Sequence, residues 1–458
     1  MVKAPTEVRS PQRKLGPNTV GSESFEQTSL RGIANKAKQK PEHRFRDLYR
    51  LLTPRMLYLA WKKLNKKAAI ADSDLTVESY EKDLSENLTA LAGKLKSKRY
   101  RAKLVKRIYT PKGNGKQRPL GIPALEDKIV QRAVAMILES IYEQDFSEYS
   151  YGYRPNRSAK DAVSDLTFQL QYGTTGYIVE ADIKGFFDNL DHDKLLELLS
   201  KRIDDKAMLS LIRKWLKAGI LAPEGMVIHP DTGTPQGGII SPILANVYLH
   251  YVLDEWFEHT VKPRLRGRCF LYRYADDWVC GFQYSDDARA FYDVLPKRLA
   301  RYNLAVEPSK TNLIRFSRFH PSRQQTRIFC FLSFEFYWWP DRSGEARIMR
   351  RTARKRQLSK VQDIKDWIKK ERHLPKAAFF SRLRKKLQGH YNYYAIRGNS
   401  RAVWSYYGQV VEQSFKWLNR RSHRKSYTWE KFRQVLVYFS VPKPRIMERK
   451  RRHERVLC

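Results

Sequence analysis

Two short apolar runs, Cys269-Phe270-Leu271-Tyr272 and Trp278-Val279-Cys280, flank the break Tyr274-Ala275-Asp276-Asp277. Strand, tight turn, strand is the simplest element set for this pattern, with two carboxylates at the turn. Another strand-like run, Tyr177-Ile178-Val179-Glu180-Ala181-Asp182, ends on a further carboxylate and leads into Ile183-Lys184-Gly185-Phe186-Phe187. Alternation over Cys330–Phe336 predicts one more strand. Elsewhere apolar residues recur at helical spacing. Phe45, Leu48, Leu51 and Leu52 open one pattern; Leu57, Ala60, Trp61 and Leu64 continue it after Thr53-Pro54, a cap and first-turn pair. Tyr80, Leu84, Leu88, Leu91 and Leu95 predict one amphipathic helix over 77–95. Further helices are expected over 127–142, 159–170 and 194–219, and from Ser241-Pro242 through Trp256. From about Arg350 the stripes Leu358, Val361, Ile364, Ile368, then Phe380, Leu383, Leu387, then Val403, Tyr407, Val410, Val411, Phe415, Leu418 predict a run of basic helices.

Composition adds the nature of the partner. Lys and Arg number 88 against 48 Asp and Glu in 458 residues, a formal charge of +40 spread along the chain. Such a field favours a polyanion: nucleic acid first, an acidic membrane surface second. Residues 1–40, rich in Pro, Gly, Ser, Lys and Arg with little periodicity, are expected to be a flexible basic arm. Cys269, Cys280, Cys330 and Cys458 form no close C-x-x-C pair, so neither a disulfide framework nor a zinc ribbon is supported. No apolar run approaches the 18 or so residues of a membrane span, and Met1-Val2-Lys3-Ala4-Pro5 lacks a signal-peptide core, so a cytoplasmic protein is expected.

The carboxylates carry the candidate chemistry. Two like charges on a hairpin repel unless a cation neutralises them, and hard oxygen ligands suit Mg²⁺. With the two strands as neighbours, Asp182 and Asp276 could share two Mg²⁺, as two-metal phosphoryl transfer requires; an exposed acidic hairpin is the plainer alternative. Lys112 and Arg118, on a basic hairpin around Gly113-Asn114-Gly115, could hold a nucleoside triphosphate, or simply face solvent. Phe187 could pack under a nucleotide sugar and exclude a 2′-hydroxyl, or lie in the core with Phe186. Gln236 is the polar side chain of Gly233-Thr234-Pro235-Gln236-Gly237-Gly238 that could touch nucleotide or template, and Gly237 and Gly238 leave room for a base pair. Lys310 could meet a leaving pyrophosphate or be a surface lysine. Arg154 and Arg157, in Tyr151-Gly152-Tyr153-Arg154-Pro155-Asn156-Arg157-Ser158, could face a template backbone or be structural. Arg420, Arg421 and Arg424 are placed to meet duplex phosphates.

Taken in order, Arg118-Pro119-Leu120-Gly121-Ile122-Pro123, Tyr151 to Ser158, Asp182 to Phe187, Gly233 to Pro242, Tyr274 to Asp277 and Ser309-Lys310-Thr311 resemble the reverse transcriptases encoded by bacterial group II introns. Gly389-His390-Tyr391 through Arg421-Ser422 resembles that family's maturase domain, and the likeness covers roughly residues 45–446. The resemblance implies an α+β right-hand polymerase with an antiparallel palm sheet. Its parts would be the arm 1–40, a helical extension 41–95, fingers and palm 96–340, an α-helical thumb or maturase domain 341–446 and a basic tail 447–458. It implies Asp182, Asp276 and Asp277 as catalytic carboxylates. Asp182, Asp276 and the Ile183 carbonyl would ligate Mg²⁺ directly, with Asp277 in support. The implied partners are an RNA template with a DNA primer, dNTPs, intron RNA and target DNA; the implied roles are RNA-directed DNA synthesis, splicing and intron mobility. A splicing cofactor without polymerase activity, or a reverse transcriptase recruited to a host role such as defence, are the alternatives. The chain departs from the family where Ala69–Thr76 replaces a Gly-x-Asp-Gly-x-Thr segment and where Ser333 replaces the glycine of Phe-Leu-Gly-Phe. Nothing after residue 446 resembles a Cys/His-rich endonuclease, so no DNA-cutting activity is expected.

Overall fold

The computed structural model describes residues 18–68, 70–71, 75–112, 116–229, 231–234, 237–318, 327–421 and 427–448. They fall into two compact units that interleave along the chain. One holds the described residues up to Thr110 with Arg118–Phe146 and Asp191–Val247; the other holds Pro111–Gln117, Ser147–Leu190 and the described residues from Tyr248 on.

In the first unit, a helix over Asn18–Gln39 stands where composition predicts a flexible arm. Leu30, Ile33, Ala34 and Ala37 recur at helical spacing, and the helix packs on Leu125–Tyr142 with Ala37 buried. Arg202 secures its C-terminal end. Buried at 4% exposure, it donates to the carbonyls of Ala37 (3.4 Å), Lys40 (3.2 Å) and His43 (2.8 Å) and to both carboxylate oxygens of Asp145 (2.8 and 3.1 Å). The Thr53-Pro54 start is as expected: Thr53 Oγ1 accepts from the Met56 amide at 3.1 Å and the helix runs Pro54–Lys62. The single helix expected over 77–95 is two, Val77–Lys82 and Leu84–Lys96. Asp83 leaves the helical region at φ −115°, ψ 38°, and Asn87 Nδ2 donates at 3.1 Å to the Tyr80 carbonyl beside the break. A sheet in the order Lys116–Ile122, Val105–Lys112, Ile220–Leu221, Val227–Ile228 includes the expected basic hairpin.

The second unit is built on a four-stranded sheet. Strands β1 (Tyr177–Asp182), β2 (Cys269–Tyr274), β3 (Asp277–Phe282) and β4 (Asn312–Arg315) lie in the order β2-β3-β1-β4, every pair antiparallel. Helix Ala159–Tyr172 packs on β2, and Ser285–Ala300 packs on β1 and β3. A smaller antiparallel sheet follows, β5 (Phe329–Phe331), β6 (Phe334–Pro340) and β7 (Ala346–Thr352). The one strand expected over Cys330–Phe336 is therefore a hairpin. Leu332 and Ser333, both at positive φ (51° and 65°), form its two-residue turn, the backbone such a connection needs to match strand twist. Four helices close the unit: Arg354–Glu371, Lys376–Tyr394, Ser400–Leu418 and Trp429–Tyr438. Ile364, Ile368, Phe380, Leu383, Leu387, Val403, Val410 and Leu418 join one core continuous with the sheets; Leu358 is instead 62% exposed. The start of the expected basic tail is anchored, since Glu448 pairs with Arg350 through two 3.0 Å bonds and both side chains are buried. The helix expected from Ser241 through Trp256 is α-helical over Ser241–Leu249 and again at Glu255 and Trp256, with π-helical turns at His250–Asp254 and Phe257–Val261. No helix among the described residues is long and apolar enough to cross a membrane.

Candidate active site

Strand register assembles the carboxylates. β2 and β3 meet in a two-residue turn, Ala275-Asp276, with Tyr274 paired to Asp277, and Asp182 at the end of β1 lies opposite Asp277. Residues opposed in register share a sheet face, so Asp182 and Asp277 are lateral neighbours and Asp276 precedes the second of them. Asp277 accepts the Leu332 amide at 3.1 Å. Burial, with the charges of Asp276, Asp182 and Glu180 adding to it, pushes its carboxyl up to about 7 against that bond. Glu180, two residues before Asp182, is also raised by burial, opposed by bonds from the Cys330 amide and Asn312 Nδ2, both 2.9 Å. The Lys310 ammonium rests on the Asp182 carboxylate and is itself raised by that hydrogen bond.

This donor set fits a divalent cation. Burial and then the neighbouring carboxylates raise the proton affinity of Asp277, and a lysine already supplies positive charge at Asp182; a hard cation would relieve the same excess. Among the described residues no three metal-ligating side chains yet converge on one point. Asp182 is engaged by Lys310 and Asp277 by Leu332. Ile183, whose carbonyl is a further expected ligand, is buried and bridged to Val306.

The Tyr151–Ser158 block proves to be a brace for this turn. The Tyr151 amide donates to the Arg273 carbonyl (2.8 Å) and the Arg273 amide to that of Tyr149 (2.9 Å). Gly152 lies so close that a Cβ there would meet Ala275 N at 2.2 Å. Arg154, which the sequence offered as either a template contact or a structural residue, is buried, and its Nη1 donates to the carbonyls of Ser147 (2.6 Å) and Ser150 (2.8 Å). Arg157 is only partly exposed, donates to the Glu148 carbonyl and lies 5.4 Å over the Tyr151 ring. Neither the fully buried Arg273 nor Asp254, to which it is paired, stood out in the sequence.

The remaining expected residues are dispersed. Phe187 is half-buried, edge-on to the core residue Phe186 at 5.3 Å. Lys112 closes its strand, and Arg118 is exposed on the strand Lys116–Ile122. Gln236 and Arg424 lie outside the described residues. Gly237 is exposed and takes φ 114°, and a Cβ there would meet the Gly121 carbonyl at 2.5 Å. Gly238 beside it is buried. Arg420 is exposed, 5.4 Å over the Trp417 ring, whereas Arg421 spends a donor on the Leu374 carbonyl.

Residues 110–336 match the model of the reverse transcriptase (RNA-dependent DNA polymerase) family. The group II intron-encoded protein LtrA of Lactococcus lactis subsp. cremoris is 41% identical over 224 residues, 48% of this chain and 37% of that protein. Protein YkfC of Escherichia coli K12 is 36% identical over 245 residues, 52% of this chain and 63% of that protein. The 91 kDa protein in the cob intron of Schizosaccharomyces pombe is 39% identical over 216 residues, 47% of this chain and 26% of that protein. Each match takes in less than two thirds of the relative's own length. The matched family carries a polymerase palm and fingers, with which the mixed α+β architecture and the antiparallel β1–β4 sheet agree, and its members use divalent metal ions.

Proposed function

We propose that this chain, of which residues 110–336 match the reverse transcriptase family, is a group II intron-encoded protein that copies RNA into DNA by attack of a primer 3′-hydroxyl on the α-phosphate of a dNTP. The observation that carries this reading is the register of β1 against β3, which sets Asp182 beside Asp277 with Asp276 in the adjoining turn. Asp182, Asp276 and the Ile183 carbonyl are the proposed ligands of two Mg²⁺. Those ions, when bound, would activate the nucleophile and balance charge on the leaving group. Asp277, tied to the Leu332 amide, keeps the turn in place and adds negative charge behind the ligands.

Lys310 is protonated where it sits, since Asp182 raises its proton affinity. Released from Asp182, it is an acid within reach of a departing pyrophosphate. Phe187, half-buried beyond β1, supplies an apolar floor under the incoming sugar and leaves no partner for a 2′-hydroxyl. Lys112, Arg118 and Gln236 are proposed to meet the dNTP. Arg157, Gly237, Gly238, Arg420 and Arg424 are proposed to meet template and primer, and Arg154 supports the loop that carries Arg157. The helices from Arg354 to Tyr438 form the proposed thumb or maturase domain, with cationic faces suited to duplex or intron RNA. Intron RNA and target DNA in the bacterial cytoplasm are proposed as further partners, supported by the intron origin in the names of the relatives.

The test is primer extension on an RNA template with dNTPs and Mg²⁺, with Asp276→Ala alongside. Extension by the parent and none by the variant is expected. No extension by either chain, with RNA binding retained at moderate salt, would overturn the polymerase in favour of a splicing-only protein.

A further inference from the structure

Behind the turn that carries Asp276 and Asp277 lies an ion pair shut off from solvent. Arg273 is 0% and Asp254 2% exposed, and the guanidinium meets both carboxylate oxygens, through Nε at 2.8 Å and through Nη2. The remaining arm, Nη1, donates to the Ala275 carbonyl at 3.2 Å. Asp254 comes from the π-helical turn His250–Asp254, and π turns within helices concentrate at functional sites.

Stability alone is a poor reason for such a pair. Two charges withdrawn from water are costly, and apolar side chains of similar volume often serve as well or better. What only a guanidinium supplies is a planar fork that can hold a carboxylate with two arms and a backbone carbonyl with a third. That carbonyl belongs to Ala275, whose φ of 56° lies in the left-handed region. A non-glycine residue persists there only where its surroundings over-determine it. The backbone at Gly152 presses on Ala275 N, and Arg273 holds the carbonyl of the same residue.

We infer that Arg273, locked in place by Asp254, is a positioning residue that keeps Ala275 left-handed and thereby aims the Asp276 and Asp277 carboxylates. The inference rests on the polymerase reading for its consequence in catalysis, though not for its structural content. Arg273 touches no reacting atom. Its effect passes through one backbone carbonyl to the two residues that follow.

Three full-length chains test it. Arg273→Lys keeps a charge opposite Asp254 but replaces the fork by one ammonium, so the Ala275 carbonyl loses its donor. Asp254→Leu/Arg273→Met replaces the pair by apolar volume and leaves no orphaned charge. The third adds Ala275→Gly to that double variant, because glycine takes a positive φ without steric cost. Displacement of catalytic groups by about 1 Å costs on the order of 100-fold in rate. The first two chains should therefore lose about that much kcat in primer extension, with KM for dNTP and primer–template affinity unchanged, and Ala275→Gly should recover part of the loss. Parental kcat in either of the first two chains, folded by its melting curve, would overturn the inference. So would a loss that Ala275→Gly leaves untouched, which would mark the pair as merely structural.

Amide hydrogen exchange on the same chains needs no activity. The peptide spanning Tyr274 to Trp278 should exchange faster in Arg273→Lys than in the parent, with the rest of the sheet unchanged. Unchanged exchange there would overturn the positioning role. A parent that shows the exchange difference but never extends a primer would instead count against the polymerase reading.

Discussion

Gly152→Ala is the sharpest single perturbation of the site, because its cost can be worked from distances. The added Cβ would lie 2.2 Å from Ala275 N, 2.8 Å from the Tyr274 carbonyl carbon and 3.0 Å from Ala275 Cα. All three are backbone atoms, so no side chain can swing aside. Ordinary contact begins near ~3.5 Å, so the loop and the catalytic turn must part by about 1 Å. Overpacking of that kind costs about 1–3 kcal/mol. The same displacement carried to Asp276 and Asp277 should lower kcat on the order of 100-fold. Melting temperature and steady-state primer extension measure the two effects. Gly408→Ala is the control: it sits within the helix Ser400–Leu418 with nothing within 4 Å of its would-be Cβ. It should gain about 0.5–1 kcal/mol from helix propensity and leave extension alone. Parental kcat in Gly152→Ala would refute the idea that this loop fixes the catalytic turn.

Three further outcomes are expected. Ser333→Gly relieves a left-handed serine in the turn whose neighbour Leu332 holds Asp277, and should raise stability by about 1 kcal/mol in denaturant titration; a loss of stability would count against strain at Ser333. Glu448→Ala leaves the buried Arg350 without its carboxylate and should cost about 3 kcal/mol, although it lies near the end of the described chain; a melting temperature equal to the parent's would show that this segment is not docked. His390, buried and stacked on Tyr406 at 3.7 Å, has its pKa lowered to about 4 by burial first and Lys360 second. Because the folded pKa is below the unfolded one, near ~6.5, the folded state holds fewer protons between the two values, and stability is full above pH ~6.5 and drains as pH falls toward 4, by at most about 3 kcal/mol. His390→Gln should flatten that slope between pH 7 and 4, and an unchanged slope would remove His390 as its source.

Much of the site was legible because strand pairing is a local pattern. Short apolar runs with carboxylates at their ends, at Asp182 and Asp277, leave few ways to bury their apolar side chains, and antiparallel pairing brings those ends together. The helical stripes from Ile364 to Leu418 were legible for the same reason. What escaped were features fixed by tertiary context. The stripe Leu30, Ile33, Ala34, Ala37 is too weak to announce a helix within a basic stretch, and Arg202, far along the chain, secures its end. The break at Asp83 and the turn at Leu332-Ser333 carry no glycine or proline to mark them.

The arginines show why charge was the poorer guide. Arg154 and Arg157 could face a template backbone or be structural, and Arg421 was expected at duplex phosphates; each spends donors on carbonyls of its own chain. A guanidinium carries five N–H donors and serves a carbonyl oxygen as readily as a phosphate oxygen, so its presence in a turn says little about which it meets. In a chain carrying 88 basic and 48 acidic residues, cations are the background and a crowded carboxylate is the exception. Burial first, and then the charges of Asp276, Asp182 and Glu180, raise the proton affinity of Asp277, a cost that a fold under no functional demand would shed by one substitution. Such a cluster, held by an amide from Leu332 and backed by a buried Arg273, points to chemistry in a way that no single arginine on the surface can.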